Sequence, residues 1–260
     1  MKRTVRTSRL SLYAVTVLLA VTSASAAAAG DGAGPFGVTV TAVAAGPSAR
    51  VGALFPAGRR SRFRGGHFCT ASVVHSPHRD LILTAAHCLD DNPGDLVFVP
   101  GYRDGEAPHG VWKVGRRFLS DGWAEGQDED SDVAFAVVER QGGRGVEDVV
   151  GGNRFVSGTA TGATAVTVTG YPNSREAPVS CSNRPRPHNR TQQRISCPGF
   201  SSGTSGSPWV NGDGQVVGVL GGHEGGGVTA DVSYSVVFGS EAAGLYRESA
   251  GCGESHGGNS

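Results

Sequence analysis

The sequence predicts an all-β protein, built as barrels or sandwiches, and three observations carry that prediction. Glycine is abundant, 41 residues in a chain of 260, and supplies the tight turns that many short strands need. Valine and threonine recur in short runs, as suits a pleated, half-buried surface. No long helical pattern occurs before the C-terminal end, and there is no heptad or internal repeat.

Taken in order, residues 1–26 read as a secretory signal peptide. Lys2, Arg3, Arg6 and Arg9 give a positive start, an apolar run follows from Leu10 to about Val21, and Ala24-Ser25-Ala26 offers a small-residue cleavage site. The apolar run is about a dozen residues, short of the roughly 20 that span a bilayer as a helix. Residues 27–50 form an Ala/Gly-rich N-terminal segment or a short propeptide.

A first β block is expected over residues 51–150, with strands at 51–55, 68–75, 81–85, 96–100, 112–119 and 133–139. A second is expected over 151–250, with strands at 165–171, 178–182, 194–197, 208–210, 216–220 and 231–237. The segment 240–249 (SEAAGLYRES) is the one credible helix, with Ser240 as N-cap and Glu241 in its first turn. The tail 251–260 is Gly-rich and expected to be flexible.

The formal charge balance is 23 basic against 23 acidic residues; without residues 1–26 it becomes 19 against 23, a net of −4. A mixed, weakly acidic surface gives no electrostatic reason to expect nucleic acid as a partner. No later segment is apolar enough to span a membrane, so the expectation is a secreted, extracellular monomer that stays off the membrane once its signal is cleaved. Five cysteines then sit in an oxidising compartment. The economical pairing is Cys69–Cys88 and Cys181–Cys197, each short loop worth on the order of 3 kcal/mol in the chain-entropy picture. Sequence alone does not fix connectivity, and Cys252 is left over. No C-x-x-C or H-x-x-x-H spacing supports a metal, and no cofactor is expected.

Three motifs carry the chemistry. Leu83-Thr84-Ala85-Ala86-His87-Cys88 sets a histidine at the end of an apolar strand, where a Cys88 disulfide would staple it. Asp132-Val133-Ala134-Phe135-Ala136-Val137-Val138 sets a carboxylate at the start of an apolar strand. There it can be buried yet paired, fixing an imidazole tautomer. Asp128 and Asp130 lie nearby in a solvated acidic run. Gly203-Thr204-Ser205-Gly206-Ser207-Pro208 offers a sharply turned serine whose neighbouring amides, those of Gly203 and Ser205, are able to point at a developing oxyanion. Taken singly, each motif has a bland alternative such as a surface Gly-Ser turn.

Together, in the order His, Asp, Ser, they resemble the trypsin/chymotrypsin-like serine proteases, leaning by Ser-Gly-Ser-Pro toward bacterial secreted members. The likeness covers about residues 51–248 and includes Phe68-Cys69-Thr70, Gly170-Tyr171-Pro172 and Gly218-Val219. It implies two six-stranded antiparallel β-barrels with a short C-terminal helix, and a cleft site with His87 and Asp132 from the first barrel and Ser205 from the second. It implies a serine endopeptidase of protein or peptide substrates, with Ser205 as nucleophile, His87 as base, Asp132 orienting it and the Gly203 and Ser205 amides as oxyanion hole. An esterase with the same triad and a non-catalytic binding protein on this fold are the rival readings.

The sequence also departs from the family. Thr204 stands where many members carry an aspartate that pairs with a new N-terminus, so trypsin-style activation is not expected. Counting back from Ser205 puts Gly199 where trypsin-like members have the aspartate of the pocket floor, which removes the case for Arg or Lys preference. By the same counting, Gly221, Gly222 and His223 are the candidate substrate-binding strand; His223 is read first as a plain surface histidine and second as a group to meet an acidic side chain, while Glu224 and Asp231 close by would instead favour a basic one, so specificity stays open. His67, His75, His78, His109, His188 and His256 are expected on the surface or in loops.

Overall fold

The computed structural model describes residues 35–44, 46–59 and 63–251. The predicted signal peptide, Cys252 and the rest of the tail lie outside the described residues. The strands are β1 (Thr39–Thr41), β2 (Val51–Pro56), β3 (Cys69–Val74), β4 (Leu81–Thr84), β5 (Leu96–Pro100), β6 (Trp112–Leu119), β7 (Ala134–Val138), β8 (Arg154–Phe155), β9 (Val166–Gly170), β10 (Val179–Asn183), β11 (Arg186–Pro187), β12 (Gln192–Ser196), β13 (Pro208–Asn211), β14 (Gln215–Val219) and β15 (Val232–Val236). Among them run the helices α1 (Ala86–Asp90), α2 (Asp121–Gly126), α3 (Glu147–Val150) and α4 (Ser240–Gly251). Every expected strand is present, with ends displaced by at most about two residues, the usual scatter of such boundaries.

The first block closes into a six-stranded antiparallel barrel in the order β2-β3-β4-β7-β6-β5, with β5 returning to β2. Leu54, Val73, Ile82, Phe98, Trp112 and Ala136 fill its interior. On the opposite face of β4 and β7, Leu81, Leu83 and Phe135 pack against Val216 and Val219 of β14, Phe238, and Leu245 of α4. Both faces of these two strands are therefore buried, which is why they read as continuous apolar runs without polar alternation.

The second block divides its strands between two sheets. One has the order β1-β10-β9-β13-β14-β8 and the other β11-β12-β15. The Val219 amide donates to Ser235 Oγ at 3.0 Å and the Gly221 amide to the Tyr234 carbonyl at 3.0 Å, bridging β14 to β15. Val166, Val168, Ile195, Trp209 and Val217 form the core that these sheets share.

Three strands went unforeseen: β1, β8 and β11, each of two or three residues. Such short strands have too few side chains to show period-2 alternation. β1 matters most, because it takes part of the N-terminal segment into the second sheet, with Thr39 opposite Cys181. α4 lies where it was expected, but Ser240 is already helical and the Ala243 amide donates to the Gly239 carbonyl, so Gly239 takes the capping position. His67 is not on the surface: it is 2% exposed, within ring contact of Phe55, Tyr102 and Tyr171. Among the described residues no helix is long and apolar enough to cross a membrane.

Candidate active site

Antiparallel pairing explains how residues 45 positions apart meet. β4 and β7 pair with Thr84 opposite Ala134, so the chain leaving β4 and the chain entering β7 share one end of the barrel. His87 sits just beyond the first on α1, and Asp132 just before the second. Cys88 is bonded to Cys69 at the start of β3, with Cα atoms 6.1 Å apart, so α1 is covalently tied to the neighbouring strand. The second disulfide, Cys181–Cys197, joins β10 to the segment after β12.

Asp132 is fully buried, and its carboxylate has donors on both oxygens. Oδ1 accepts from the His87 amide at 3.0 Å; Oδ2 accepts from His87 Nδ1 at 2.7 Å and from the Gly222 amide at 2.8 Å. A carboxylate that only accepts puts the hydrogen on Nδ1 and leaves Nε2 with a free lone pair. Burial pulls the His87 imidazole down, but the Asp132 bond and charge outweigh it and hold the group above its ordinary value. The Trp123 ring lies 6.2 Å from the imidazole, its Nε1 donating to Asp90 at 3.2 Å.

Ser205 occupies a turn held by backbone bonds on both sides. The Thr204 amide donates to the Ser201 carbonyl, the Ser207 amide to the Thr204 carbonyl and the Gly206 amide to the Leu220 carbonyl. Two glycines make the turn possible. Gly203 has φ +96°, and a Cβ there would lie 2.1 Å from Asn173 Oδ1. Gly206 has φ +83°, and its Cβ would fall 2.0 Å from the Thr70 carbonyl oxygen. Any side chain at either position would collide with fixed atoms. Among the described residues the Gly203 and Ser205 amides have no protein acceptor, so both remain open to a ligand oxygen.

Thr70, which the motifs alone did not single out for a role, joins the halves at this turn. It is fully buried on β3. Its amide donates to the Ser205 carbonyl at 2.7 Å and its Oγ1 to the Gly203 carbonyl at 3.0 Å. The same hydroxyl accepts from the Tyr171 amide at 3.0 Å, and the Thr70 carbonyl accepts from Thr84 Oγ1 at 2.8 Å. Only tertiary structure brings these partners together, so no local pattern announces them.

His87 and Ser205 line one cleft of about 500 Å³ between the two halves. Its first-barrel wall includes Phe68, the Cys69–Cys88 disulfide, Asp91 and Asn92; its second wall comprises Asn173, residues 200–205, Leu220 and residues 224–230. Gly203 lies on this lining, whereas Gly199 does not: it is exposed, and a Cβ there would meet Thr39 of β1 at 3.9 Å. Gly221 and Gly222 turn out to serve the aspartate. A Cβ on Gly221 would sit 2.7 Å from Asp132 Oδ2, and Gly222 supplies one of the three donors. His223 is outside the lining as well, stacked on His188 at 4.7 Å and edge-on to Tyr234 at 4.8 Å. Cys69, His87 and Cys88 bring metal-type ligand atoms within 4.8 Å of one another. The two sulfurs are bonded to each other, which removes the thiolates that a metal needs.

The family of trypsin-like peptidase domains matches residues 66–219 of the chain. Among solved structures, the protease Anisep from Arthrobacter nicotinovorans superposes with a TM-score of 0.69 at 26% identity, covering 82% of this chain and 99% of that one. The thermostable serine protease AL20 from an extremophilic microorganism gives 0.67 at 29% identity, covering 78% and 97%. A Glu endopeptidase gives 0.65 at 16% identity, covering 84% and 99%, a likeness of fold alone. No curated protein matches significantly in sequence.

Proposed function

The chain belongs to the trypsin-like peptidase family, and from that premise we propose that it is a secreted serine endopeptidase working through Ser205, His87 and Asp132. The observation that carries the reading is the His87–Asp132 pair, which fixes Nδ1–H and leaves Nε2 basic in the cleft that Ser205 also lines. The two disulfides and the N-terminal export pattern support an oxidising, extracellular setting.

The chemistry follows from these groups. Ser205 Oγ attacks the scissile carbonyl carbon while its proton passes to His87 Nε2, and the imidazolium is stabilised by Asp132. The carbonyl oxygen becomes an oxyanion held by the Gly203 and Ser205 amides. The C–N bond then breaks as His87 returns the proton to the leaving amine, giving an acyl-enzyme. Water, deprotonated by His87, repeats the addition and releases the acid and the free serine. Thr204 is buried with its hydroxyl bonded to the Ser201 carbonyl at 2.7 Å, so the turn is braced without an ion pair to a new N-terminus.

Hydrolysis of an unfolded protein, followed by release of new amines, tests the reading. Wild type should cleave it, and Ser205→Ala or His87→Ala should lower the rate by roughly 10⁴-fold or more. Unchanged rates in both variants, or ester hydrolysis without any peptide cleavage, would contradict it.

A further inference from the structure

We infer that Gln192 is a positioning residue for the active site: its buried amide clamps together the two loops that hold Asp132, and through Asp132 it sets the place of His87. The inference rests on the endopeptidase reading above. Gln192 opens β12 in the second block and is 2% exposed. Its Nε2 donates to the Glu129 carbonyl at 2.8 Å and to Asp130 Oδ1 at 3.0 Å, on the turn that leads into Asp132. Its Oε1 accepts from the His223 amide at 3.3 Å, one residue beyond Gly222. The partners fix which way the side-chain amide faces, because a carbonyl and an ionised carboxylate only accept and a backbone N–H only donates.

Both arms of the clamp end beside the aspartate. Two of the three donors to Asp132 come from His87 itself; the third, the Gly222 amide at 2.8 Å, comes from the second block. Gly222 has φ +78°, and a Cβ on it would lie 2.4 Å from Gln192 Oε1, so that stretch of backbone rests directly against the clamp. The clamp is itself held in place. The Gln192 amide donates to Asn189 Oδ1 at 2.7 Å, and Gln192 pairs with Val236 of β15. A second tie between the same two loops, the Glu224 amide on Glu129 Oε1 at 2.8 Å, is exposed and competes with water. Gln192 is not on the cleft lining, so it acts on the base and not on the substrate.

The neighbouring Gln193 supplies a control of the same chemistry. It is 4% exposed, and its Nε2 donates to the Val217 carbonyl at 3.2 Å, on β14 and away from both loops.

The test measures kcat and KM on one peptide, with fluorophosphonate titration to count active enzyme, and the proton NMR signal of His87 Nδ1–H. Gln192→Met keeps the shape and removes both arms. Its kcat should fall roughly 10- to 100-fold, the scale of a misplaced catalytic group, with a smaller change in KM. Its Nδ1–H signal should move upfield, because a longer bond to the Asp132 carboxylate deshields the proton less. Asp130→Ala, at an exposed position, removes a single acceptor and should move both readouts the same way by less. Gln193→Met should leave both at wild-type values although it too loses a buried bond. An active wild type matched by Gln192→Met in kcat and signal, or an equal loss in Gln193→Met, overturns the inference and leaves the endopeptidase reading standing. Should Gln192→Met fail to fold, Asp130→Ala decides, and an unmoved signal there overturns the inference. A wild type that neither titrates nor cleaves overturns both.

Discussion

At the scale of single residues, Asp132 raises the basicity of His87, and Thr70 anchors the turn that carries Ser205. The imidazole is held above its ordinary value of about 6.5 because the Asp132 bond and charge outweigh burial. A base must be neutral to act, so kcat/KM should fall as pH drops through a midpoint above 6.5. Asp132→Asn removes the charge and leaves the burial, so the midpoint should move down. The rate should fall by about 10⁴-fold, the loss found for the equivalent change in another protease of this fold. A pH–rate profile of the two enzymes checks both signs. Thr70→Val keeps the shape but strands the Gly203 carbonyl and the Tyr171 amide. Unsatisfied buried groups cost about 1–3 kcal/mol each, so kcat should drop on the order of 10- to 100-fold with a smaller change in KM. Thr70→Ser should restore most of it; equal losses in both variants, or a change in KM alone, would refute a positioning role.

At the scale of elements, the sequence was most readable where a strand is buried on both faces. β4 and β7 announce themselves by uninterrupted apolar runs, and the motif residues at their ends follow from that. β1 and β8 were invisible, since two or three residues carry no pattern and their pairing is decided by strands far along the chain. The helix α4 was legible from its composition, but its task was not. Glu241 reaches out of its first turn to accept from the Gly122 amide at 3.1 Å and from Ser131 Oγ at 2.8 Å, and Ser131 precedes Asp132. Ser120 Oγ in turn donates to the Ser131 carbonyl. A C-terminal helix thus braces the loop that presents the aspartate. Glu241→Ala should lower stability by about 1 kcal/mol, discounted because Glu241 is exposed. That corresponds to a Tm roughly 2–4 °C lower for a chain of this size. Thermal unfolding checks the loss, and an unchanged Tm would remove the bracing role.

At the scale of the whole molecule, the candidate site belongs to neither half. The first barrel supplies a histidine and a carboxylate from adjacent strand ends, and the second block supplies the serine turn and the donors on Gly222 and Gly203. Three ordered motifs made the pairing of halves readable in the sequence, because each motif carries its own local chemistry. Substrate selection was not readable in the same way. Counting from Ser205 pointed to Gly199 and His223, yet loop geometry turns both away and leaves Phe200, Leu220 and the glycines of residues 225–227 on the lining. Loops of this kind are set by positive-φ backbone, here at Gly222 and at each of Glu224, Gly225, Gly226 and Gly227, and such paths are not read from a few fixed letters.

The central claim is that Ser205 is a nucleophile activated by His87. Reacting the folded, disulfide-intact protein with a fluorophosphonate and mapping the adduct by mass spectrometry tests it most directly. One adduct per chain is expected, on Ser205, absent in Ser205→Ala and formed far more slowly in His87→Ala. A folded wild type that stays unmodified, or an adduct that persists in Ser205→Ala, would contradict it.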